Sequence, residues 1–92
     1  MNTIPSVYKQ AGHAMQLVKR EANAAMYKAA GADYWEIHVV RVRPAETIVG
    51  RTYPEREVLA GNEDFGTYAW ACTTQERANG RFVDILASAN IP

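Results

Sequence analysis

The sequence contains little that would tie it to a particular chemistry. Cys72 is the single cysteine among 92 residues, which excludes an intramolecular disulfide. Ten lysines and arginines balance ten aspartates and glutamates. A net charge of zero argues against nucleic-acid binding, because contact with the phosphate backbone depends on a surplus of cations. The six glycines match no phosphate-binding loop. We therefore predict no catalytic residues and no cofactor.

Long apolar runs are also missing. No stretch approaches the roughly 18 continuous apolar residues of a membrane-spanning helix. The first residues lack the basic start and apolar core of a secretory signal peptide. We therefore expect a cytoplasmic protein that does not associate with membranes. The 92 residues suit one domain, 1–92, and a hydrophobic fraction of 48% is ordinary for a soluble globular protein.

The first third of the chain contains an apolar repeat with alternating spacings of four and three residues. Its members are Ile4, Tyr8, Ala11, Met15, Val18, Ala22, Ala25 and Ala29. On a helix this spacing places all eight side chains on one stripe. It predicts a long amphipathic helix from about Pro5 to Ala30, within an N-terminal segment 1–31. Pro5 suits the first turn of that helix, and Gly31 suits the left-handed position that ends it.

The length of this predicted helix favours self-association. A helix of about 26 residues is about 39 Å long, whereas a compact domain of this size is only about 30 Å across. The apolar stripe would then extend beyond the domain and need a partner, so we predict a homodimer. The predicted interface consists of Tyr8, Ala11, Met15, Val18, Ala22 and Ala25.

Residues 32–92 show strand patterns followed by a helix pattern. Alternating β-branched and aromatic residues predict strands over Tyr34 to Arg43, Thr47 to Tyr53 and Thr67 to Thr73. Arg43 to Glu46 has the composition of a turn, so the first two strands are expected to form a hairpin. An acidic loop and a C-terminal helix complete the chain. This order predicts an α+β fold, a small α-β-β-β-α domain with a three-stranded antiparallel sheet, a long N-terminal helix and a C-terminal helix.

Six residues on the first and third predicted strands are the best candidates for a ligand pocket. They are Trp35, Glu36, His38, Tyr68, Trp70 and Cys72. Aromatic side chains can line an apolar pocket or simply fill the core of so small a sheet. Cys72 and His38 could form a thiol–imidazole pair, but no third group for nucleophilic catalysis is evident. Glu36 and His38 are too few to bind a metal ion, so we predict no metal site.

Arginines cluster around the predicted hairpin. Arg41 and Arg43 share a strand face, and Arg51 could lie opposite one of them. These three residues form the best candidate surface for an anion or a nucleic acid. Neighbouring glutamates offset their charge, so surface ion pairs are the simpler interpretation.

The leading hypothesis is a non-enzymatic binding or interaction module that acts as a homo-oligomer. The first alternative is a small-molecule-binding or enzymatic domain, which would require an enclosed cavity bordered by Glu36, His38 and Cys72. The second alternative is nucleic-acid binding through the hairpin arginines, which would show a steep dependence on salt concentration.

Overall fold

The computed structural model describes residues 3–10 and 12–89, which form a mostly β protein with one α-helix. The strands are β1 Val7–Gln10, β2 His13–Glu21, β3 Ala24–Ala29, β4 Trp35–Val39, β5 Arg41–Arg43, β6 Glu46–Ile48, β7 Arg51–Tyr53, β8 Arg56–Val58 and β9 Ala69–Cys72. A single 3₁₀ turn covers Asn62–Asp64, and helix α1 covers Gln75–Ala89. No helix in these two described ranges is long and apolar enough to cross a membrane.

Five strands form one antiparallel sheet in the order β1-β2-β3-β4-β9. The first three connect through two-residue loops, since Gln10 pairs with His13 and Glu21 pairs with Ala24. The left-handed backbone of Gly12, with φ +81°, suits the first of these tight loops. The chain leaves the sheet after β4 and returns as β9 beside it. β1 and β9 are therefore the two edge strands.

The predicted long N-terminal helix is wrong, and with it the α-β-β-β-α order and the three-stranded sheet. Residues 7–29 form β1, β2 and β3 instead. Tyr8 lies opposite Met15, and Met15 lies opposite Ala29, so these members of the repeat share a face of a sheet. The two-residue loops and a bulge between Leu17 and Lys19 break the simple alternation of a strand. As a result, the apolar residues of these three strands are spaced along the sequence like those of a helical repeat.

Helix α1 packs on one face of the sheet, against β3, β4 and β9. The core on this side consists of Ala24, Met26, Trp35, Ile37, Ala78, Phe82 and Ile85. Strand alternation supplies the sheet residues, and the 3.6-residue period of α1 supplies the other three. The start of α1 is capped by Thr74, whose Oγ1 accepts a hydrogen bond of 3.2 Å from the Arg77 amide. This layer is a conventional helix-on-sheet core.

The opposite face of the sheet is covered by irregular segments of the chain. Its core consists of Ile4, Met15, Ala25, Tyr27, Ala29 and Val40, with Tyr8, Leu17, Ala32, Tyr34 and Leu59 packed against them. The Tyr27 hydroxyl donates a hydrogen bond of 2.5 Å to the Pro5 carbonyl, which attaches the N-terminal segment to this face. The sheet is therefore buried on both sides at its centre. This explains why β3 has apolar residues at almost every position.

Residues 41–58 form a long two-stranded ribbon, which we call the ribbon. Its inner half pairs β5 with β8, and its outer half pairs β6 with β7. Pro44 and Ala45 continue from β5 to β6 rather than forming the predicted turn, and the chain reverses at Val49 and Gly50. Within the described chain, the outer half makes no extended contact with any other strand or with α1.

Candidate functional site

The ribbon is the most distinctive surface of the protein, and its base is firmly attached to the rest of the chain. Glu57 in β8 accepts two hydrogen bonds from the Arg20 guanidinium in β2, of which Nη2 to Oε2 is 2.5 Å. The Ile4 amide donates a third bond to Glu57, at 3.2 Å. The hydrogen bond from Arg20 lowers the pKa of the Glu57 carboxyl. A bidentate pair of this kind fixes both position and orientation, so the ribbon has a defined direction relative to the sheet.

A second attachment lies on the other side of the base. Arg41 Nη2 donates a hydrogen bond of 2.9 Å to Asp64 Oδ2 in the 3₁₀ turn. The same guanidinium lies over the Tyr68 ring, 4.2 Å from its centroid. Arg41 is therefore part of the structural base of the ribbon, and one of the three predicted anion-binding arginines already has an intramolecular partner.

The tip of the ribbon is apolar and has a strained backbone. Val49 is 98% exposed, and Ile48 beside it is half exposed. Val49 and Gly50 both have positive φ, +50° and +75°, as a type I′ hairpin turn requires. Asparagine or glycine normally occupies the first of these positions, because a β-branched residue at positive φ is strained. Val49 is therefore a backbone outlier whose apolar side chain is exposed instead of packed within the fold.

The ribbon carries two arginines with no ion pair in the described residues. Arg43 and Arg51 are both exposed. By contrast, Arg56 lies 3.6 Å from Glu46 and packs over the Tyr53 ring. The arginines predicted from the sequence are thus together on the ribbon, but only Arg43 and Arg51 remain available to an external group.

Glu36 and His38 lie in β4, buried under the irregular layer, and each is 1% exposed. The Tyr8 hydroxyl donates to Glu36 Oε1, and the Tyr34 hydroxyl donates to Oε2 at 2.8 Å. His38 Nδ1 accepts a hydrogen bond of 3.3 Å from the Ala60 amide, so in neutral His38 the proton is on Nε2. Nε2 then faces Tyr8 Oη at 3.0 Å and Glu36 Oε1 at 3.4 Å. We call these four side chains the tyrosine–glutamate network.

The network stabilises the ionised form of Glu36. Burial raises the pKa of the carboxyl, but hydrogen bonds from His38, Tyr8 and Tyr34 outweigh burial and hold that pKa below its ordinary value. Burial and the bond to Glu36 raise the pKa of Tyr34 to about 12, and the same two causes raise the pKa of Tyr8 further. All the polar atoms of the carboxylate are satisfied, and none reaches solvent. The network therefore has the properties of a structural element, not of a site that binds substrate.

The six predicted pocket residues do not border one cavity. Glu36 and His38 face the irregular layer, whereas Trp35, Trp70 and Cys72 face α1 on the other side of the sheet. Burial raises the pKa of the Cys72 thiol, which leaves it a poor nucleophile at neutral pH. Among the described residues, no group of three or more His, Cys, Asp or Glu side chains could hold a metal ion.

Tyr68 and Trp70 instead line an open groove between β9 and α1, with a volume of about 360 Å³. Val39 and Ile85 supply more of its apolar surface, and Arg81 lies over the Trp70 ring at 4.6 Å. Asn23 also lines the groove, and its buried carboxamide oxygen has no hydrogen-bond partner in the part of the chain described here. The groove is large enough for one or two aliphatic side chains.

The residues of the predicted oligomer interface lie in several different environments. Met15 and Ala25 are completely buried within the chain, and Tyr8 belongs to the tyrosine–glutamate network. Val18 is half exposed at the bulge of β2, and Ala22 lies in the loop between β2 and β3. Ala11 lies outside the described residues. These positions do not form one stripe, because Val18 and Ala22 are exposed whereas Met15 and Ala25 are buried within the chain.

The comparisons with known proteins add no constraint: no protein-family model, no curated protein and no solved structure matches this chain. Any function of this protein must therefore be inferred from its geometry. Sequence reasoning missed the ribbon as a unit, although each of its strands has a proline, Pro44 or Pro54, in the two-residue gap between the inner and outer ladders. These two prolines, with β-branched residues between them, are the signal that could have indicated it.

Proposed function

We propose that this protein is a non-enzymatic interaction module that acts as a homo-oligomer, with the ribbon as the arm that contacts a second copy. The observation that carries the proposal is the outer half of the ribbon, which makes no extended contact with another strand or with α1 in the described residues. An isolated two-stranded hairpin is marginally stable in water. A ribbon with a strained apolar tip is most simply explained by contact with another molecule.

A second copy is the favoured partner because the chain carries complementary features. The apolar tip matches the groove between β9 and α1 in size and character. Arg43 and Arg51 on the ribbon have counterparts in Glu21 and Asp33, exposed carboxylates of the sheet region without an ion pair in the described ranges. With a net charge of zero, no long-range repulsion opposes association.

Sedimentation analysis of Val49→Asn tests the proposal. Asparagine relieves the strain of the turn and removes the apolar contact, so the variant should fold well and associate at least about tenfold more weakly than the wild type, as expected for the loss of one buried valine. Val83→Asn is the matched control, because Val83 is exposed on α1 and does not line the groove. Equal association of the wild type and Val49→Asn would contradict the ribbon as the contact arm.

The nucleic-acid alternative is tested with the same protein. We expect no binding of a short DNA duplex at low salt, because two unpaired arginines on a neutral chain give few phosphate contacts. Binding that weakens steeply with salt and is lost in Arg43→Gln and Arg51→Gln would overturn the protein-interaction proposal.

A further inference from the structure

The free edge of β9 has hydrogen-bonding groups that the fold leaves unpaired. The Val39 amide donates to the Tyr68 carbonyl at 2.8 Å, which makes Ile37 and Trp70 a hydrogen-bonded pair in the β4–β9 ladder. By alternation, the N–H and C=O groups of Ala71 point away from β4. Neither has a backbone partner in the described residues, whereas the Ala69 carbonyl accepts a bond of 2.7 Å from the Gly66 amide.

At Ala69 the edge of β9 is occupied by an isolated bridge to Phe65, but over Trp70, Ala71 and Cys72 the strand lacks the features that normally prevent an edge strand from pairing. Its sequence, Ala-Trp-Ala-Cys, contains no charged residue and no proline, and its register shows no bulge. Natural edge strands are usually protected by such features. The opposite edge strand, β1, carries Lys9 on its exposed surface. The two edges of the same sheet are therefore protected to different degrees.

The surface beside this edge is self-complementary. A groove of about 310 Å³ runs along Trp70, Ala71 and Cys72, and α1 borders it with Arg77 and Arg81 as well as with Asp84. A two-fold axis turns the strand and the helix of a second copy antiparallel to the first. The acidic group of one copy then approaches the basic groups of the other.

We propose that two copies of this chain pair β9 to β9 about a two-fold axis at Ala71, joining two five-stranded sheets into one continuous antiparallel sheet. The two Ala71 residues exchange both of their backbone hydrogen bonds. Trp70 of each copy lies opposite Cys72 of the other, on the side of the sheet that carries α1. This interface uses no residue of the ribbon, although Trp70, Arg81 and Asp84 border both this edge and the groove proposed to receive the ribbon tip.

The first test removes the edge donor. In Ala71→Pro the missing N–H is the one that faces the free edge, so the β4–β9 ladder keeps all of its bonds. We expect near-wild-type circular dichroism and a dimer dissociation constant raised at least about tenfold, for the loss of two mutual hydrogen bonds. Lys9→Pro is the matched control, because the Leu17–Ser6 bond of 2.8 Å places the Lys9 amide on the free edge of β1 by the same alternation.

The second test does not depend on weakening the fold. Opposed residues of a hydrogen-bonded antiparallel pair have Cα atoms about 5.5 Å apart, within the range of a disulfide. Ala71→Cys in a Cys72→Ser background should therefore form a disulfide-linked dimer on mild oxidation, seen on a non-reducing gel. Lys9→Cys in the same background should remain monomeric on that gel. Equal cross-linking of the two variants would overturn the β9 interface.

The outcomes distinguish this interface from the ribbon contact. Repeating both tests in the Val49→Asn background should leave the β9 dimer intact, with a mass twice the 10.2 kDa of one chain. A folded Ala71→Pro that associates like the wild type would overturn the β9 interface and leave the ribbon proposal standing. A wild type that is still monomeric at about 100 µM would overturn both the β9 interface and the ribbon contact. That concentration is roughly the weakest Kd of interest for a specific pair.

Discussion

The Glu36 carboxylate lies at the centre of the sheet face opposite α1, where an uncompensated charge would be costly. Removing one partner of a buried, hydrogen-bonded charge typically costs several kcal/mol, because the other group is left unsatisfied. Here two tyrosine hydroxyls and His38 satisfy the carboxylate, and the tyrosine rings extend the apolar cover around it. Stability in this layer therefore depends on hydroxyl groups as well as on apolar area.

Tyr8→Phe tests this dependence. The substitution keeps the ring that packs edge-on against Tyr27 and removes the hydroxyl that donates to Glu36. We expect the free energy of unfolding in urea to fall by about 1–3 kcal/mol, the usual effect of an unsatisfied buried group. Tyr53→Phe, on the ribbon, should change it by less than about 0.5 kcal/mol. Similar values for the two variants would show that the network contributes little.

The network also predicts how stability depends on pH. Because the pKa of Glu36 is lower in the folded than in the unfolded chain, its contribution is fully present above the unfolded value of about 4.3 and is lost as the pH falls through the folded value. Urea unfolding between pH 6 and pH 3 should show stability falling with pH. The fall should be smaller in Tyr8→Phe, since that variant lacks one of the bonds that lower the pKa. A steeper fall in Tyr8→Phe would contradict this account.

At the scale of elements, two hairpin turns in the described part of the chain have a non-glycine residue at positive φ. Ala22 between β2 and β3 has φ +49°, and Val49 at the ribbon tip has φ +50°. Both residues are strained by about 1–2 kcal/mol relative to glycine. Ala22 lies in an exposed loop between two strands of the main sheet, whereas Val49 is 98% exposed at the ribbon tip.

Ala22→Gly and Val49→Asn should therefore both raise the midpoint of thermal unfolding, by the relief of about 0.5–1 kcal/mol of strain. The two variants should differ in how strongly they associate. Only Val49→Asn should also weaken association in sedimentation, because only Val49 is proposed to contact a second copy. A loss of association in Ala22→Gly would assign the contact to the β2–β3 loop instead.

Some of the secondary-structure elements could be predicted from the sequence alone. The C-terminal helix was predictable, since Ala78, Phe82 and Ile85 have helical spacing and pack on the sheet as such spacing requires. The alternation of Trp35, Ile37 and Val39 with polar residues likewise predicted β4. The segment 7–29 misled because alanine favours helices, and because β3, buried on both faces, shows no alternation between apolar and polar residues.

The candidate site was only partly predictable, for a different reason. The predicted hairpin had its turn at Arg43 to Glu46, where a proline is present, and Arg51 lies opposite Ile48 instead of Arg41 or Arg43. The actual turn contains Val49, which turn preferences disfavour. The pairing of β4 with β9 joins residues more than 30 positions apart across the ribbon, and no local pattern encodes it.

At the scale of the whole molecule, the ribbon makes the protein less compact than its length requires. The radius of gyration is 14.0 Å, against about 12 Å for a compact chain of this length. The extents of 45 × 37 × 21 Å describe a flat body with an extension. Such a shape exposes two separate surfaces, the ribbon and the β9 edge, so one small chain has room for two different contacts.

The position of Glu36 and His38 in β4 has a consequence for how the sheet assembles. Four of the nine residues that pair with β4 are alanines, namely Ala24, Ala25, Ala69 and Ala71, and such small side chains would tolerate β4 sliding along its neighbours. A slip of one residue would turn the carboxylate and the imidazole toward Phe82 and Ile85, away from the tyrosine hydroxyls that satisfy Glu36, and bring Trp35 out of the helix-side core. The buried charge therefore penalises a one-residue misalignment of β4 that the alanines alone would allow.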